Sequence, residues 1–309
     1  MDSNPSVPAD GAGRIAVGGD LTVSRLGFGA MRLTGSGVWG PPKDPEQARR
    51  VLQRAVELGV DFIDTADSYG PDVSEDLIAA ALFPYPDNLV VATKGGLERT
   101  GPGQWPVNGR PEHLRRACEG SLQRLRMDQI PLYQLHRPDP KVPYAESVGA
   151  LVQLKEEGKI RHIGVSNVDH DQLTVAQSLT EVASVQNRYN VSDRGSESIV
   201  DRCALEGIVF LPWAPIQDAD SNPAVRRIVA STGGTVAQVV LAWLLARSAA
   251  MLVIPGTSSV RHLEENIAAS SLRLDAEDVA ALTAAGGGHR RGMLGQLSSL
   301  KRRLSGRRQ

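Results

Sequence analysis

Polar side chains that can carry charge or transfer protons stand at the ends of several apolar runs in this sequence. Asp64 ends the run Phe62-Ile63, Lys94 ends residues 89–93, and His136 follows residues 132–135. The same position after later runs is held by Ser166, Asn167, Gln186 and Trp213. Any one of them has an ordinary interpretation as a solvated loop residue or a strand-end cap. Their repeated position favours a single functional site.

The chemistry of this set begins with Asp64, because a carboxylate at the end of a buried strand is costly without a cationic partner. Lys94 would supply that partner. A nearby ammonium also favours the phenolate of Tyr69, lowering its pKa and making the hydroxyl a usable proton donor near neutral pH. His136 could hydrogen bond a carbonyl oxygen from the other side. These groups suit addition of hydride to a carbonyl, and the hydride must come from a cofactor.

Strand patterns alternate with helical patterns along most of the chain. The predicted strands cover residues 26–32, 60–64, 89–94, 132–136, 163–167, 182–187, 208–213 and 251–255. The predicted helices cover residues 45–58, 77–82, 111–125, 145–157, 172–178, 196–206, 235–247, 260–270 and 276–285. Asp72 and Glu75 have the spacing of a capping box before the second helix. Continuously apolar strands are buried on both faces and therefore parallel, which predicts an α/β fold, a (β/α)8 TIM barrel with its site at the carboxyl ends of the strands.

A single domain is predicted over residues 15–288. It opens with a small β-hairpin, residues 15–17 and 21–23, turned by Gly18-Gly19-Asp20. Residues 1–14 are predicted to be a disordered leader. Residues 289–309 form a basic tail in which Met293, Leu297, Leu300 and Leu304 fall on one side of a possible helix. Such a tail could contact a membrane or protein, although fraying or docking on the barrel is the simpler interpretation.

Charge and composition narrow the function classes. The tail carries seven positive charges and no acid, so the rest of a chain whose net charge is −1 carries −8, which argues against general nucleic-acid binding. No run reaches the roughly 18 apolar residues of a membrane span, and the first residues do not resemble a secretory signal. Cys118 and Cys203 are interpreted as free thiols. These features predict a cytoplasmic protein without a metal site.

Several short motifs along residues 25–274 belong to one known pattern. They are Arg25-Leu26-Gly27-Phe28-Gly29-Ala30-Met31, Phe62-Ile63-Asp64-Thr65-Ala66-x-x-Tyr69-Gly70, Thr93-Lys94, His136-Arg137-Pro138-Asp139, Gly164-Val165-Ser166-Asn167, Gln186-Asn187-x-Tyr189-Asn190 and Glu265-Asn266. Together they resemble the aldo-keto reductase family. The resemblance implies an oxidoreductase that reduces an aldehyde or ketone. It also implies that Asp64, Tyr69, Lys94 and His136 form a catalytic tetrad with Tyr69 as general acid.

The same resemblance implies where a nicotinamide cofactor binds. Ser166, Asn167 and Gln186 would hold the carboxamide, and Trp213 would stack on the nicotinamide ring. The remaining implied contacts are Gly29, Met31, Pro255, Gly256, Thr257, Ser258, His262, Glu265 and Asn266. Residues 254–259 would wrap the adenosine phosphate at a helix N-terminus, and Glu265 and Asn266 would reach the adenine.

Two positions depart from much of the family. Gly256 stands where many members have lysine, and His262 where many have an arginine for the 2′-phosphate. Arg261 could substitute. NADPH is the expected cofactor, with NADH the less favoured choice.

A narrower resemblance, to bacterial pyridoxal reductases, comes from residues 37–42, 254–259 and 263–266. It implies reduction of pyridoxal to pyridoxine. Trp39, Trp105 and residues 217–223 are candidate walls of the substrate pocket, and surface-loop filling is an equally good interpretation of each.

Other classes are less well supported. Gly27-x-Gly29 is followed by Arg32 where a Rossmann fingerprint needs its third glycine. No tyrosine is followed four residues later by lysine, and no H-E-x-x-H motif occurs. The alternative that stays open is an NADPH-binding regulatory subunit with little turnover, resembling the aldo-keto-reductase-like subunits that attach to ion channels. His136 favours an enzyme, because those subunits usually vary that position.

Overall fold

A computed structural model describes residues 9–286 as a parallel barrel with a hairpin at one end. The tail prediction for residues 289–309 lies outside the described residues. The strands are β1 (Arg14–Val17), β2 (Leu21–Ser24), β3 (Phe28–Gly29), β4 (Phe62–Asp64), β5 (Val90–Gly95), β6 (Ile130–Leu135), β7 (Ile160–Ser166), β8 (Val182–Gln186) and β9 (Val209–Phe210). Strands β3 to β9 pair in sequence order, all parallel. The predicted eighth strand contributes single bridges, Met251 to Phe210 and Val253 to Leu26, which close the circle. The predicted (β/α)8 fold is confirmed.

Helices cover the outside of the barrel. They are α1 (Pro45–Glu57), α2 (Val73–Leu82), α3 (Pro111–Leu125), α4 (Tyr144–Glu156), α5 (His170–Leu179), α6 (Glu197–Glu206), α7 (Pro223–Thr232), α8 (Val236–Arg247), α9 (Val260–Ala268) and α10 (Ala276–Ala285). Cys118 and Cys203 are buried free thiols in α3 and α6. Within residues 9–286 no single helix is long and apolar enough to cross a membrane, and only α7 with α8, bent by 103°, reach that length and composition as a pair.

The hairpin β1–β2 closes the amino-terminal end of the barrel. Val17 and Val23 pack into a buried apolar cluster with inward side chains of the strands, among them Phe62, Leu132 and Leu211. A Cβ at Gly18 would lie 2.2 Å from the ring of His162, at the start of β7, and Gly18 has a φ of 62°. Only glycine fits this contact without a shift.

The leader prediction is wrong for residues 9–14. Ala9–Ala12 form a 3-10 helix, and Ala9 is fully buried. The amide of Ala9 donates to Leu58 O, and Ala9 O accepts from the hydroxyl of Ser24. Arg14 begins β1 and pairs with buried Asp61 at 2.8 Å. These contacts supply the burial and hydrogen bonds that a disordered segment would lack. Residues 1–8 lie outside the described residues.

Glu75 has a structural task other than the predicted capping box. Asp72 precedes α2 with a φ of 67°, and its side chain makes no capping hydrogen bond. Glu75 is fully buried, and its carboxylate accepts from Thr93 Oγ1 at 2.5 Å and Arg124 Nε at 2.7 Å. Burial raises the pKa of Glu75 although the guanidinium opposes it. The ion pair between Glu75 and Arg124 joins α2 to α3. The hydrogen bond from Thr93, the residue before Lys94, joins Glu75 to β5.

We expect Arg124→Leu to lower the free energy of unfolding by about 3 to 5 kcal/mol, the usual cost of leaving a buried charge unpaired. Without the guanidinium, the pKa of folded Glu75 rises further above its unfolded value. A carboxyl group whose pKa is raised by folding contributes to stability at low pH, and this contribution is lost as pH rises. The loss of unfolding free energy in Arg124→Leu should therefore be larger at about pH 8 than at about pH 5. Urea unfolding at both pH values measures it.

The matched control is Arg115→Leu on the same helix, where the guanidinium pairs with the exposed Glu157. Its loss of stability should be much smaller, because a solvent-exposed ion pair contributes little to the free energy of unfolding. Equal losses for the two variants, or a larger Arg124→Leu deficit at the lower pH, would contradict this description of Glu75.

Candidate active site

A buried ion pair lies at the carboxyl ends of the strands. Lys94 is fully buried on β5, and its Nζ lies 2.6 Å from Asp64 Oδ2 at the end of β4. Nζ also donates to Thr65 O at 2.7 Å. The other carboxylate oxygen, Oδ1, accepts from Nε2 of Gln134 at 3.0 Å and Nε2 of Gln186 at 2.9 Å. Four strands therefore meet at one carboxylate.

The ammonium of Lys94 stays charged in this setting. Burial alone would lower its pKa, but Asp64 and Tyr69 outweigh burial, so the pKa of Lys94 is raised. The sequence-based expectation that Asp64 needs a cationic partner and finds it in Lys94 is confirmed.

Tyr69 lies in the loop after β4 with its hydroxyl 3.4 Å from Lys94 Nζ. Its ring is 5.8 Å from the ring of His136 and 6.4 Å from that of Trp105, both edge to face. The predicted net lowering of its pKa is wrong. Burial raises the pKa of Tyr69, Lys94 opposes that rise, and the carboxylates of Asp64 and Asp67 add to it. The hydroxyl therefore keeps its proton at neutral pH.

His136 is a neutral imidazole beside Tyr69. It is 8% exposed, and its pKa is well below the usual range because of burial first and then the charges of Lys94, Arg137 and Arg99. Nδ1 lies 3.4 Å from Ser68 Oγ. A neutral ring carries one N–H that can hydrogen bond a carbonyl oxygen.

The residues expected to hold a carboxamide form a second group across the barrel mouth. Asn167 Nδ2 donates to His136 O at 3.0 Å and to Ser166 Oγ at 2.9 Å, while Asn167 Oδ1 accepts from Trp213 Nε1 at 3.1 Å. Asn167 holds a left-handed φ of 59°. Ser166 Oγ donates to Gln186 O at 2.7 Å. One face of the half-buried Trp213 is near Arg188, whose guanidinium carbon is 5.5 Å from the ring centroid.

The backbone at Gly29 passes close to the backbone of residues 254–256, where a cofactor would lie. Gly29 N donates to Pro255 O at 3.3 Å, and a Cβ at Gly256 would lie 2.5 Å from Gly29 O. A Cβ at Gly29 would lie 2.7 Å from Ile254 O. In this structure a side chain at position 29 or 256 would require the backbones to shift. Met31 follows on the 3-10 helix Ala30–Leu33 and is 38% exposed.

The N-terminus of α9 gathers the residues expected at the adenosine end. Ser259 caps the helix by accepting from His262 N, and Thr257 Oγ1 accepts from Ser259 N at 3.1 Å. Arg261 is largely exposed, 3.2 Å from His262 Nε2 and 3.7 Å from Glu265. Asn266 is buried one turn further on. A helix N-terminus with adjoining basic groups is a favourable anion site.

Two features of the site were not predicted from the sequence. Gln134, a polar residue inside an otherwise apolar strand, could have been found from that pattern. Arg99 gave no such signal, although its guanidinium carbon lies 3.6 Å from the ring centroid of Trp105 and 5.7 Å from that of Trp39. Among residues 9–286 no group of three or more His, Cys, Asp or Glu side chains could hold a metal ion.

The barrel, with a charged cluster at the carboxyl ends of its strands, has the layout of a TIM-barrel enzyme. The sequence pattern of the Aldo/keto reductase family matches residues 25–286. The chain is 45% identical over 283 residues to an uncharacterized oxidoreductase of Schizosaccharomyces pombe, covering 91% of this chain and 92% of that protein. It is 40% identical over 272 residues to pyridoxine 4-dehydrogenase of Escherichia coli, covering 85% and 95%. The chain belongs to the aldo/keto reductase family.

Solved structures agree with this assignment. The glycerol dehydrogenase of Gluconobacter oxydans superposes with a TM-score of 0.78 at 26% identity, covering 89% of this chain and 95% of that chain. An aldo-keto reductase of Klebsiella pneumoniae in complex with NADPH gives a TM-score of 0.73 at 27% identity, covering 87% and 93%.

The left-handed backbone at Asn167 should make the free energy of unfolding sensitive to which residue replaces the asparagine. Both Asn167→Gly and Asn167→Ala remove the side-chain hydrogen bonds, but alanine keeps a Cβ at positive φ, whereas glycine removes it. We expect Asn167→Ala to be less stable than Asn167→Gly by about 1 kcal/mol. Urea unfolding of the pair measures it, and an alanine variant at least as stable as the glycine variant would refute the strained backbone.

Proposed function

We propose that this chain reduces an aldehyde or ketone to an alcohol, with NADPH as the hydride source and Tyr69 as the proton donor. The observation that carries the proposal is the position of the Tyr69 hydroxyl. It lies 3.4 Å from an ammonium fixed by Asp64, and its ring contacts that of the neutral His136. A protonated phenol beside a fixed positive charge suits general acid catalysis, because the charge stabilises the phenolate that donation creates.

The side chains act on the carbonyl oxygen in sequence. His136 orients and polarises that oxygen through its N–H. As negative charge develops on the oxygen, Tyr69 donates its hydroxyl proton, and Lys94 stabilises the resulting phenolate. Asp64 keeps Lys94 charged and directed at Tyr69. Tyr69 then regains a proton from solvent.

The residues at the barrel mouth fit a nicotinamide cofactor. NADPH, when bound, supplies the hydride. Asn167, Gln186 and Ser166 would hold its carboxamide, and Trp213 presents a ring for stacking. Gly29 and Gly256 would let the backbone approach it, with Met31 and Pro255 beside them. The adenosine end would meet Thr257, Ser258, Glu265 and Asn266, and the 2′-phosphate Arg261 and His262.

The proposed substrate is an aromatic aldehyde, with pyridoxal reduced to pyridoxine as the specific candidate. Trp39 and Trp105 stand near Tyr69 and would provide flat apolar walls. The 40% identity to the pyridoxine 4-dehydrogenase of Escherichia coli supports this candidate. A cytoplasmic location and a small-molecule carbonyl as partner stay predictions.

A substrate screen tests the proposal. NADPH and NADH are supplied in parallel, with pyridoxal, benzaldehyde and propanal as substrates, and the loss of reduced cofactor is followed by absorbance. We expect turnover of the aromatic aldehydes and a higher kcat/KM for NADPH, because only NADPH carries the 2′-phosphate that Arg261 would bind. Tight NADPH binding without turnover of any carbonyl would overturn the proposal in favour of a regulatory subunit.

We predict that Tyr69→Phe lowers kcat for reduction by about 100- to 10,000-fold, the usual contribution of a general acid, while leaving the Kd of NADPH within about twofold. Steady-state kinetics and fluorescence titration measure the two quantities. The matched control is Tyr144→Phe, since the buried hydroxyl of Tyr144 makes no hydrogen bond within residues 9–286. A Tyr69→Phe enzyme that loses NADPH affinity as strongly as activity would mean that Tyr69 binds the cofactor instead.

A further inference from the structure

Arg99 joins three loops at the mouth of the barrel. Its guanidinium donates to carbonyl oxygens of the loop after β3, the loop after β4 and its own loop after β5. The acceptors are Val38 O and Ser68 O, both 2.7 Å from Nη1, Gly37 O and Gly101 O, 3.0 and 3.4 Å from Nη2, and Gln104 O, 2.8 Å from Nε. An arginine has five N–H donors, so backbone carbonyls use the whole set.

The same guanidinium lies within cation–π distance of both candidate pocket tryptophans. The guanidinium carbon lies 3.6 Å from the ring centroid of Trp105, a close cation–π contact, and 5.7 Å from that of Trp39. Trp105 in turn meets the ring of Tyr69 edge to face, and Trp39 forms a bridge with Gly70, the next residue after Tyr69. Arg99 therefore reaches the proposed proton donor through both tryptophans.

The loop after β3 is strained where Arg99 holds it. Val38 has a φ of 54°, a rare conformation for a β-branched residue. Its neighbour Gly37 has a φ of 69°, and a Cβ there would lie 2.9 Å from the side chain of Pro102. Such strain persists only where the surroundings enforce it, and it clusters at functional sites. The carbonyls of Val38 and Gly37 are both acceptors for Arg99.

The occupied N–H donors of Arg99 distinguish a residue that holds loops from one that binds a substrate anion. A guanidinium with unused N–H groups could bind a substrate anion, but each donor of Arg99 already has a carbonyl partner. Lysine could not replace it, because an ammonium has three donors and no flat face to stack on tryptophan.

We propose that Arg99 is a positioning residue for the reduction, which sets the geometry of Tyr69 through Trp105 and the loops it joins. This inference rests on the proposed function of Tyr69. The contacts of Arg99 described above include none of the proposed catalytic or cofactor-binding residues. Substitution of Arg99 should therefore lower kcat and leave the affinity for NADPH unchanged.

The test compares Arg99→Lys with wild type, using NADPH with benzaldehyde and with 4-carboxybenzaldehyde. NADPH titration counts the folded sites, and rates are expressed per site. We expect kcat to fall by about 10- to 100-fold for both aldehydes, because a 1 Å misplacement of a reacting group can cost about 100-fold. The Kd of NADPH should stay within about twofold. Arg115→Lys, an exposed arginine on α3, is the control and should match wild type.

A second variant tests whether Arg99 acts on Tyr69 through Trp105. It also keeps the proposal testable if Arg99→Lys does not fold. Trp105→Leu removes the contact with Tyr69 and leaves the carbonyl bonds of Arg99 in place, so it should also lower kcat. The double variant should be no slower than the slower single variant, because both changes break the same chain of contacts.

Several results would overturn the proposal. They are a wild-type kcat in Arg99→Lys or Trp105→Leu, losses that multiply in the double variant, and a rise in KM confined to the carboxylated aldehyde, which would mark Arg99 as an anion site. Absence of turnover by the wild-type enzyme with either aldehyde would overturn the proposed function together with this inference.

Discussion

The ion pair between Lys94 and Asp64 is the constraint on which the rest of the site depends. Both groups are buried, and breaking such a pair by removing one partner costs about 3 to 5 kcal/mol. The carboxylate also accepts the amides of Gln134 and Gln186. Because these side chains come from four strands, the carboxylate has its full set of partners only when β4, β5, β6 and β8 stand in register. The fold and the site are therefore specified by the same contacts.

Burial then decides the protonation of the neighbouring groups. The pKa of Tyr69 is raised and that of His136 is lowered, so both are uncharged at neutral pH. Lys94 is consequently a fixed positive charge, balanced by Asp64, beside two neutral hydrogen-bonding groups. Such an arrangement is prepared for negative charge that develops on a substrate oxygen, since the dipoles and the ammonium need little reorganisation.

Features that depend on local pattern were predictable from the sequence, and features that depend on distant partners were not. The barrel could be predicted because continuously apolar strands alternate with helices, and Lys94 because it ends one of those strands. Helix α7 was missed although Asn222-Pro223 carries a start signal, and Asn222 does cap it. Glu75 has capping-box spacing, but burial against Arg124 decides its role. The contacts of Arg99 depend on the course of three loops, which no short motif encodes.

The most direct test of this account is the pKa of Tyr69 itself. The chain has five tyrosines, so labelling with tyrosine carrying ¹³C at Cζ gives a simple NMR spectrum, in which Tyr69→Phe identifies one resonance. Because burial outweighs Lys94, we expect the Tyr69 phenol to be still more than half protonated at pH 10.0, the ordinary pKa of tyrosine. Half-ionisation at a lower pH would contradict the account, since it would mean that Lys94 dominates and the phenol is acidic before substrate arrives.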